Sequence, residues 1–237
     1  MNFPTPPIET RYDYYKIIPE FKKFASQYIG KNYLIPDEEK PIVFATIAWM
    51  LQDDLVAKEM DFDLQKGILL SGPIGCGKTT LFKLMQKFIG NKNKFGMVST
   101  RQIVSEFMQS GYQILENYSK GNFAHDARKA KVYCFDDLGI ETSSKYYGND
   151  CNVMAEILLT RYDLFKEKGL ITHLTTNLSA AEIESIYGNR LRSRMREMFN
   201  LFGYDQNSTD KRKWFPSILV QFIVIYCRFY GFPFFCF

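Results

Sequence analysis

Residues Gly72 to Thr79 read GPIGCGKT, and this is the densest piece of chemistry in the chain. Glycines at such spacing let consecutive backbone N–H groups turn inward around phosphate oxygens, and a helix starting near Lys78 aims its positive end at them. The apolar run Ile68, Leu69, Leu70 before it reads as a strand, and LFKLMQKFI after it reads as a helix. That strand, turn and helix context is what a phosphate-binding loop requires. Lys78 is expected to place its charge at the β and γ phosphates of a nucleotide, and Thr79 to place its hydroxyl on Mg²⁺. The expected nucleotide-binding set is Gly72, Pro73, Ile74, Gly75, Cys76, Gly77, Lys78, Thr79 and Thr80.

A metal held between phosphates needs a carboxylate besides the hydroxyl of Thr79. Val132 to Phe135 form an apolar run that ends in Asp136-Asp137. In open parallel sheets ligands sit beyond the carboxyl ends of the strands, where both the GPIGCGKT turn and Asp136 fall. Asp136 is therefore assigned to Mg²⁺, through water, and Asp137 to polarising the attacking water as general base. A solvated strand end is the plainer reading of the two acids, and Glu141 is an alternative base.

Arg190, Arg192, Arg194 and Arg196 alternate through a helix-compatible stretch, with Arg190 and Arg194 on one face. A guanidinium reaching across a subunit boundary can stabilise charge on a transferring phosphoryl group. Arg192 and Arg196 either contact DNA phosphates or belong to a solvated face opposite Leu191, Met195 and Met198. His125 and His173 have no ligand partners at metal spacing, so both read as structural or exposed. The five cysteines include no CxxC pair and are odd in number, which favours free thiols in a reducing compartment. Trp49 and Trp214 read as packing residues, and Tyr112, Tyr118, Tyr146 and Tyr147 cannot be singled out as base-stacking residues in a chain that is 16% aromatic.

The elements that must position these groups are those of an α/β fold. Short apolar runs, GILLS, FGMVST, KVYCFDD and LITHLTT, alternate with amphipathic segments at 79–89, 102–118, 152–168 and 179–198. This is the pattern of parallel strands joined by helical crossovers. Before them, residues 1–7 carry three prolines and read as a loose arm. Residues 10–29 have helical spacing interrupted by Pro19, which predicts one kinked helix or two short ones. Residues 37–60 open with acids and Pro41 and predict a further helix. The organisation expected is a helical partner-binding region at 1–65, a nucleotide-binding core at 66–213 and a hydrophobic tail at 214–237.

That tail has Arg228 as its only charge, yet Gln221, Arg228, Pro216 and Pro233 interrupt the roughly 20 apolar residues a membrane span needs. A packed hydrophobic strand or tail is the preferred reading, with a membrane anchor the lesser one and an irregular terminus of no selected role a third. A hydrophobic content of 46%, with 24% charged residues over 237 positions, argues against a mainly disordered chain and suits one compact domain with a small attachment. A net charge of +4 is too small to announce nucleic acid by composition. No secretory segment opens the sequence, so the reading is cytoplasmic.

Taken in order, GPIGCGKTT, VYCFDDLGIETSSKYYGN, LTTNLSAAEI and YGNRLRSRM resemble the core of the DnaC/IstB-like branch of AAA+ proteins, over residues 66–202. The resemblance implies an AAA+ P-loop NTPase with a five-stranded parallel sheet between helices. It also implies ATP with Mg²⁺, self-association, single-stranded DNA binding and action on a replicative DNA helicase. Carried onto this sequence, GPIGCGKT is the Walker A turn and FDD ends the Walker B strand. Asn177 falls on the sensor 1 position, Arg194 on the arginine finger and Arg190 beside it, while Arg212 is the nearest candidate for a sensor 2 arginine. Asp137 stands where most AAA+ proteins have Glu, although this branch often has Asp, and its shorter side chain implies slow or partner-dependent hydrolysis. The reading is an ATP-hydrolysing DNA replication protein, a helicase loader. An IstB-like transposition ATPase, a nucleotide-gated binding protein with little hydrolysis and a small-molecule kinase are the alternatives.

Overall fold

The computed structural model describes residues 10–30, 32–89, 94–120, 131–141, 144–146, 149–208 and 210–211. The proline-rich arm, His125, Tyr147, Arg212, Trp214 and the apolar tail lie outside the described residues. Five strands make the main sheet: β1 (Gly67–Ser71), β2 (Gly96–Ser99), β3 (Tyr133–Leu138), β6 (Thr172–Thr176) and β7 (Phe199–Gly203). Their order is β2-β3-β6-β1-β7 and every pairing is parallel. In register, Leu69 faces Leu174 on one side and Leu201 on the other. The inner strands are buried almost throughout, as expected for a parallel sheet covered on both faces. Outside the main sheet, β4 (Ser144–Tyr146) and β5 (Asn149–Cys151) pair antiparallel as a short hairpin that the sequence reading did not foresee.

Alternation along the strands sends Ile68, Leu70 and Cys134 to one face and Leu69, Tyr133, Phe135 and Leu174 to the other. The first face is covered by α1 (Tyr14–Ile29), α2 (Lys40–Leu51) and α4 (Lys78–Phe88), through Phe21, Phe44, Trp49, Leu81 and Phe82. The second is covered by α5 (Thr100–Ser110), α6 (Gln113–Lys120), α7 (Val153–Lys168) and α8 (Ala180–Met198), through Phe107, Ile114, Ile157 and Leu191. Helix α2 is buried from Ile42 to Met50, so it behaves as a core helix rather than a surface one. The N-terminal helices and the phosphate-loop half of the sheet share one hydrophobic core.

Three helical expectations are refined. Helix α1 runs as one helix through Pro19, because the carbonyl that loses its donor belongs to the solvent-exposed Tyr15. The helix expected at 37–60 divides at Gln52, which takes a left-handed φ of 57°. Asp53 then caps α3 (Asp54–Glu59), accepting from the N–H groups of Leu55 and Val56, and also accepts from the Tyr14 hydroxyl at 2.8 Å. The segment 102–118 divides at Gly111 into α5 and α6. Helix α8 starts with a Ser179–Glu182 capping box and bends at Gly188, where φ is 83°.

His173 is structural, 1% exposed between Trp49, Phe82 and Phe95, with its Nδ1 accepting from Ile68 N–H at 3.1 Å. Burial pushes its pKa down to about 3, so the ring is neutral. Among the described residues no helix is long and apolar enough to cross a membrane.

Candidate nucleotide site

Strand β1 stops at Ser71 and helix α4 starts at Lys78, leaving a six-residue turn between them. Gly77 caps α4 at φ 106°, a conformation a side chain resists, and a Cβ on Gly75 would meet the Asp210 carboxylate at 1.9 Å. Lys78 is 4% exposed. Its ammonium donates to the carbonyls of Gly72 at 2.8 Å and Pro73 at 2.9 Å and to Asn177 Oδ1 at 2.5 Å. Burial holds the Lys78 pKa below its ordinary value, opposed by the nearby Cys76, Asp137 and Asp136. A polyanion placed beside it favours the charged form. Asn177 reaches Lys78 because it directly follows β6, the neighbour of β1 in the sheet.

Asp136 is held from one strand and one helix. Thr79 Oγ1 donates to Asp136 Oδ1 at 2.9 Å, and Thr175 Oγ1 donates to the same oxygen at 2.7 Å. The Thr175 hydroxyl also accepts the Asp137 N–H at 2.7 Å, and Thr100 Oγ1 donates to the Asp137 carbonyl at 2.9 Å. The Asp137 peptide is thus gripped at both ends. It sits at φ 59°, where the β3–β6 register shifts between Phe135 and Leu138. Aspartate is one of the few residues that tolerate this region, and the local bulge re-aims its side chain.

A cavity of about 520 Å³ opens on these groups. It is lined by Ile74, Gly75, Gly77, Lys78, Thr79, Thr80, Asp137, Ile140 and Asn177, and also by Ile29, Tyr33 and Lys211. Its size falls in the range of small-molecule sites. A wider open groove of about 750 Å³ between α1 and residues 32–40 shares Tyr33 with it. The sequence reading missed Ile29, Tyr33 and Lys211, which reach the cavity only through tertiary packing and carry no local signal. It also assigned no role to Thr175, although the TTN string contains it.

Glu141, the alternative base, has both carboxylate oxygens engaged, by Gly139 N–H at 2.9 Å and by the Tyr187 hydroxyl, and does not line the cavity. Arg194 does not line it either; its guanidinium stacks on Tyr162 with 4.7 Å between Cζ and the ring centre. Arg192 pairs with Glu184, while Arg190 and Arg196 are exposed. For Thr79 and Asp136 the donor set is hydroxyl and carboxylate oxygen, the kind Mg²⁺ prefers.

Residues 67–144 match the family model of the AAA domain, dynein-related subfamily. No curated protein sequence matches the chain. Among solved structures, that of the DnaC helicase loader aligns with a TM-score of 0.50 at 20% identity, covering 73% of this chain and 94% of that one. That of DnaI aligns with a TM-score of 0.50 at 19% identity, covering 73% and 88%. Identities this low establish fold alone. The chain has the AAA+ P-loop fold.

Proposed function

We propose that this protein is a Mg²⁺-dependent ATPase that loads or remodels a replicative DNA helicase on single-stranded DNA. The observation that carries the reading is the meeting of Lys78, Thr79, Asp136, Asp137 and Asn177 at the carboxyl end of the sheet, four of them on the wall of one cavity. Lys78 exchanges its loop carbonyls for the β and γ phosphates, guided by Asn177. Thr79 and Asp136 hold Mg²⁺, which when bound supplies charge stabilisation at those phosphates. Asp137 orients and deprotonates the attacking water. Arg194, stacked and partly exposed on Tyr162, completes the site of a neighbouring copy, so that turnover depends on self-association. The helices of residues 1–65 present exposed Tyr15 and Tyr28 to the partner.

The test is ATP turnover by the full chain, alone and with single-stranded DNA and a hexameric helicase. Turnover that rises with both additions and vanishes in Lys78→Ala is expected; full activity in Lys78→Ala overturns the reading. A second reading, a nucleotide-gated binding protein, is favoured by the short, backbone-pinned Asp137. Tight ATP binding with turnover unmoved by DNA and helicase selects it.

A further inference from the structure

Behind the phosphate loop lies a carboxylate that the ATPase reading leaves unused. Glu39, 2% exposed, ends the turn before α2. Its Oε2 accepts from the Lys211 ammonium, and its Oε1 is buried with no hydrogen-bond partner among the described residues. Lys211 arrives there on a segment that crosses the loop. Tyr204 N–H donates to the Ser71 carbonyl at 2.7 Å, and Lys211 N–H donates to the Gly75 carbonyl at 3.1 Å. The Lys211 Nζ lies 3.3 Å from where a Cβ on Gly77 would stand, and its side chain lines the nucleotide cavity.

A half-satisfied buried carboxylate is an expensive way to fill space. Among the described residues, the other titratable groups whose fields reach Glu39 are Glu38, Tyr33, Tyr204 and Cys76, none of them a cation. Its hold is therefore on Lys211. A lysine is a point charge on a flexible four-carbon stem, so an anchor that fixes its direction removes conformers it must otherwise give up on binding a ligand.

We infer that Glu39 is a positioning residue, whose buried carboxylate holds the Lys211 ammonium against Gly75–Gly77 so that it meets the phosphate chain of the bound nucleotide. The inference rests on the cavity being an ATP site. It ties residues 37–39, at the start of the core helix α2, directly to nucleotide occupancy.

The experiment is calorimetric titration of the full chain with ATP, alongside melting temperatures, for wild type, Glu39→Gln, Lys211→Met, Lys211→Arg and the double variant Glu39→Gln/Lys211→Met. Lys211→Met is expected to weaken ATP binding about tenfold, and Lys211→Arg less than about threefold. Glu39→Gln is expected to weaken it about threefold, and the double variant to match Lys211→Met rather than multiply the two losses. Multiplying losses, or an affinity unchanged or tightened in Glu39→Gln, overturns the positioning role. If Lys211→Met fails to fold with Glu39 left unpaired, the double variant is compared with Glu39→Gln, and equal affinities overturn it. A pair that serves stability alone moves the melting temperatures and leaves the affinities in place, which also overturns it. Wild type that takes up no ATP sinks the underlying site reading instead.

Discussion

Lys78 and Arg161 are both buried cations that form no ion pair among the described residues, yet they are held in opposite ways. All five Arg161 donors are met. Nε reaches Thr172 Oγ1 at 2.7 Å, Nη1 reaches the carbonyls of Tyr118 and Ser119, and Nη2 reaches those of Lys131 and Ile171. These acceptors come from α6, from Lys131 two residues ahead of β3 and from the entry to β6, so the guanidinium ties together segments far apart in sequence. It also lies over the rings of Tyr133 and Phe135. Lys78, itself on the wall of a cavity, is met by the Gly72 and Pro73 carbonyls and the Cys76 thiol of its own loop and by one amide. A planar fork saturated by dispersed carbonyls builds a fold, whereas an ammonium on a flexible stem, parked on local acceptors, is ready to trade them for a ligand.

The sharpest test of that contrast is Lys78→Ala. ATP turnover is expected to fall about 10³-fold, measured by phosphate release, while the urea midpoint stays close to wild type. Arg161→Met should do the reverse. It leaves five acceptors without their donor and is expected to cost about 3 kcal/mol in urea unfolding, with turnover per folded molecule unchanged. Equal destabilisation by the two substitutions would erase the distinction. Burial lowers the Arg161 pKa to about 9, which still leaves it charged at neutral pH.

His173, on the Lys78 side of the sheet, adds a pH dependence. Its folded pKa of about 3 lies below the unfolded value of about 6.5, so its contribution is present above pH 6.5 and is lost as pH falls toward 3. Between pH 7.5 and 5.5 this one group is expected to remove about 1.4 kcal/mol of stability. Urea unfolding at the two pH values, compared with His173→Asn, checks it. An equal acid loss in the variant assigns the effect elsewhere.

What was readable in advance follows from how local each signal is. The phosphate loop and the Asp136-Asp137 strand end were legible because glycine spacing and a run of apolar residues act over a few positions. Asn177 needed the order of the blocks, since a single amide after a strand says nothing by itself. The fifth strand was implied by resemblance but not by periodicity, because FNLFG is five residues long with Leu201 67% exposed. Nothing in Gln52 announces a left-handed break, and nothing in Tyr33 or Lys211 announces a cavity wall. Those positions are set by packing between segments far apart in the chain.

Asp137 joins the two halves of the contrast, since it has a catalytic assignment and a backbone strained by the fold. At φ 59° a non-glycine residue costs about 1 kcal/mol, and here the Thr175 hydroxyl and the Thr100 hydroxyl hold the peptide in place. Asp137→Gly removes that strain while keeping both backbone bonds. It is expected to stabilise the chain by up to about 1 kcal/mol, less the extra chain entropy of glycine, and to lose ATP turnover. Asp137→Asn keeps the side-chain size and loses the base, so its turnover should also fall with stability near wild type. A glycine variant less stable than the asparagine variant by more than the entropy of glycine, about 1 kcal/mol, would mean that the Asp137 side chain contributes to the fold, as Arg161 does. A more stable one would place Asp137 with Lys78, among residues whose geometry is maintained for the ligand rather than for the core.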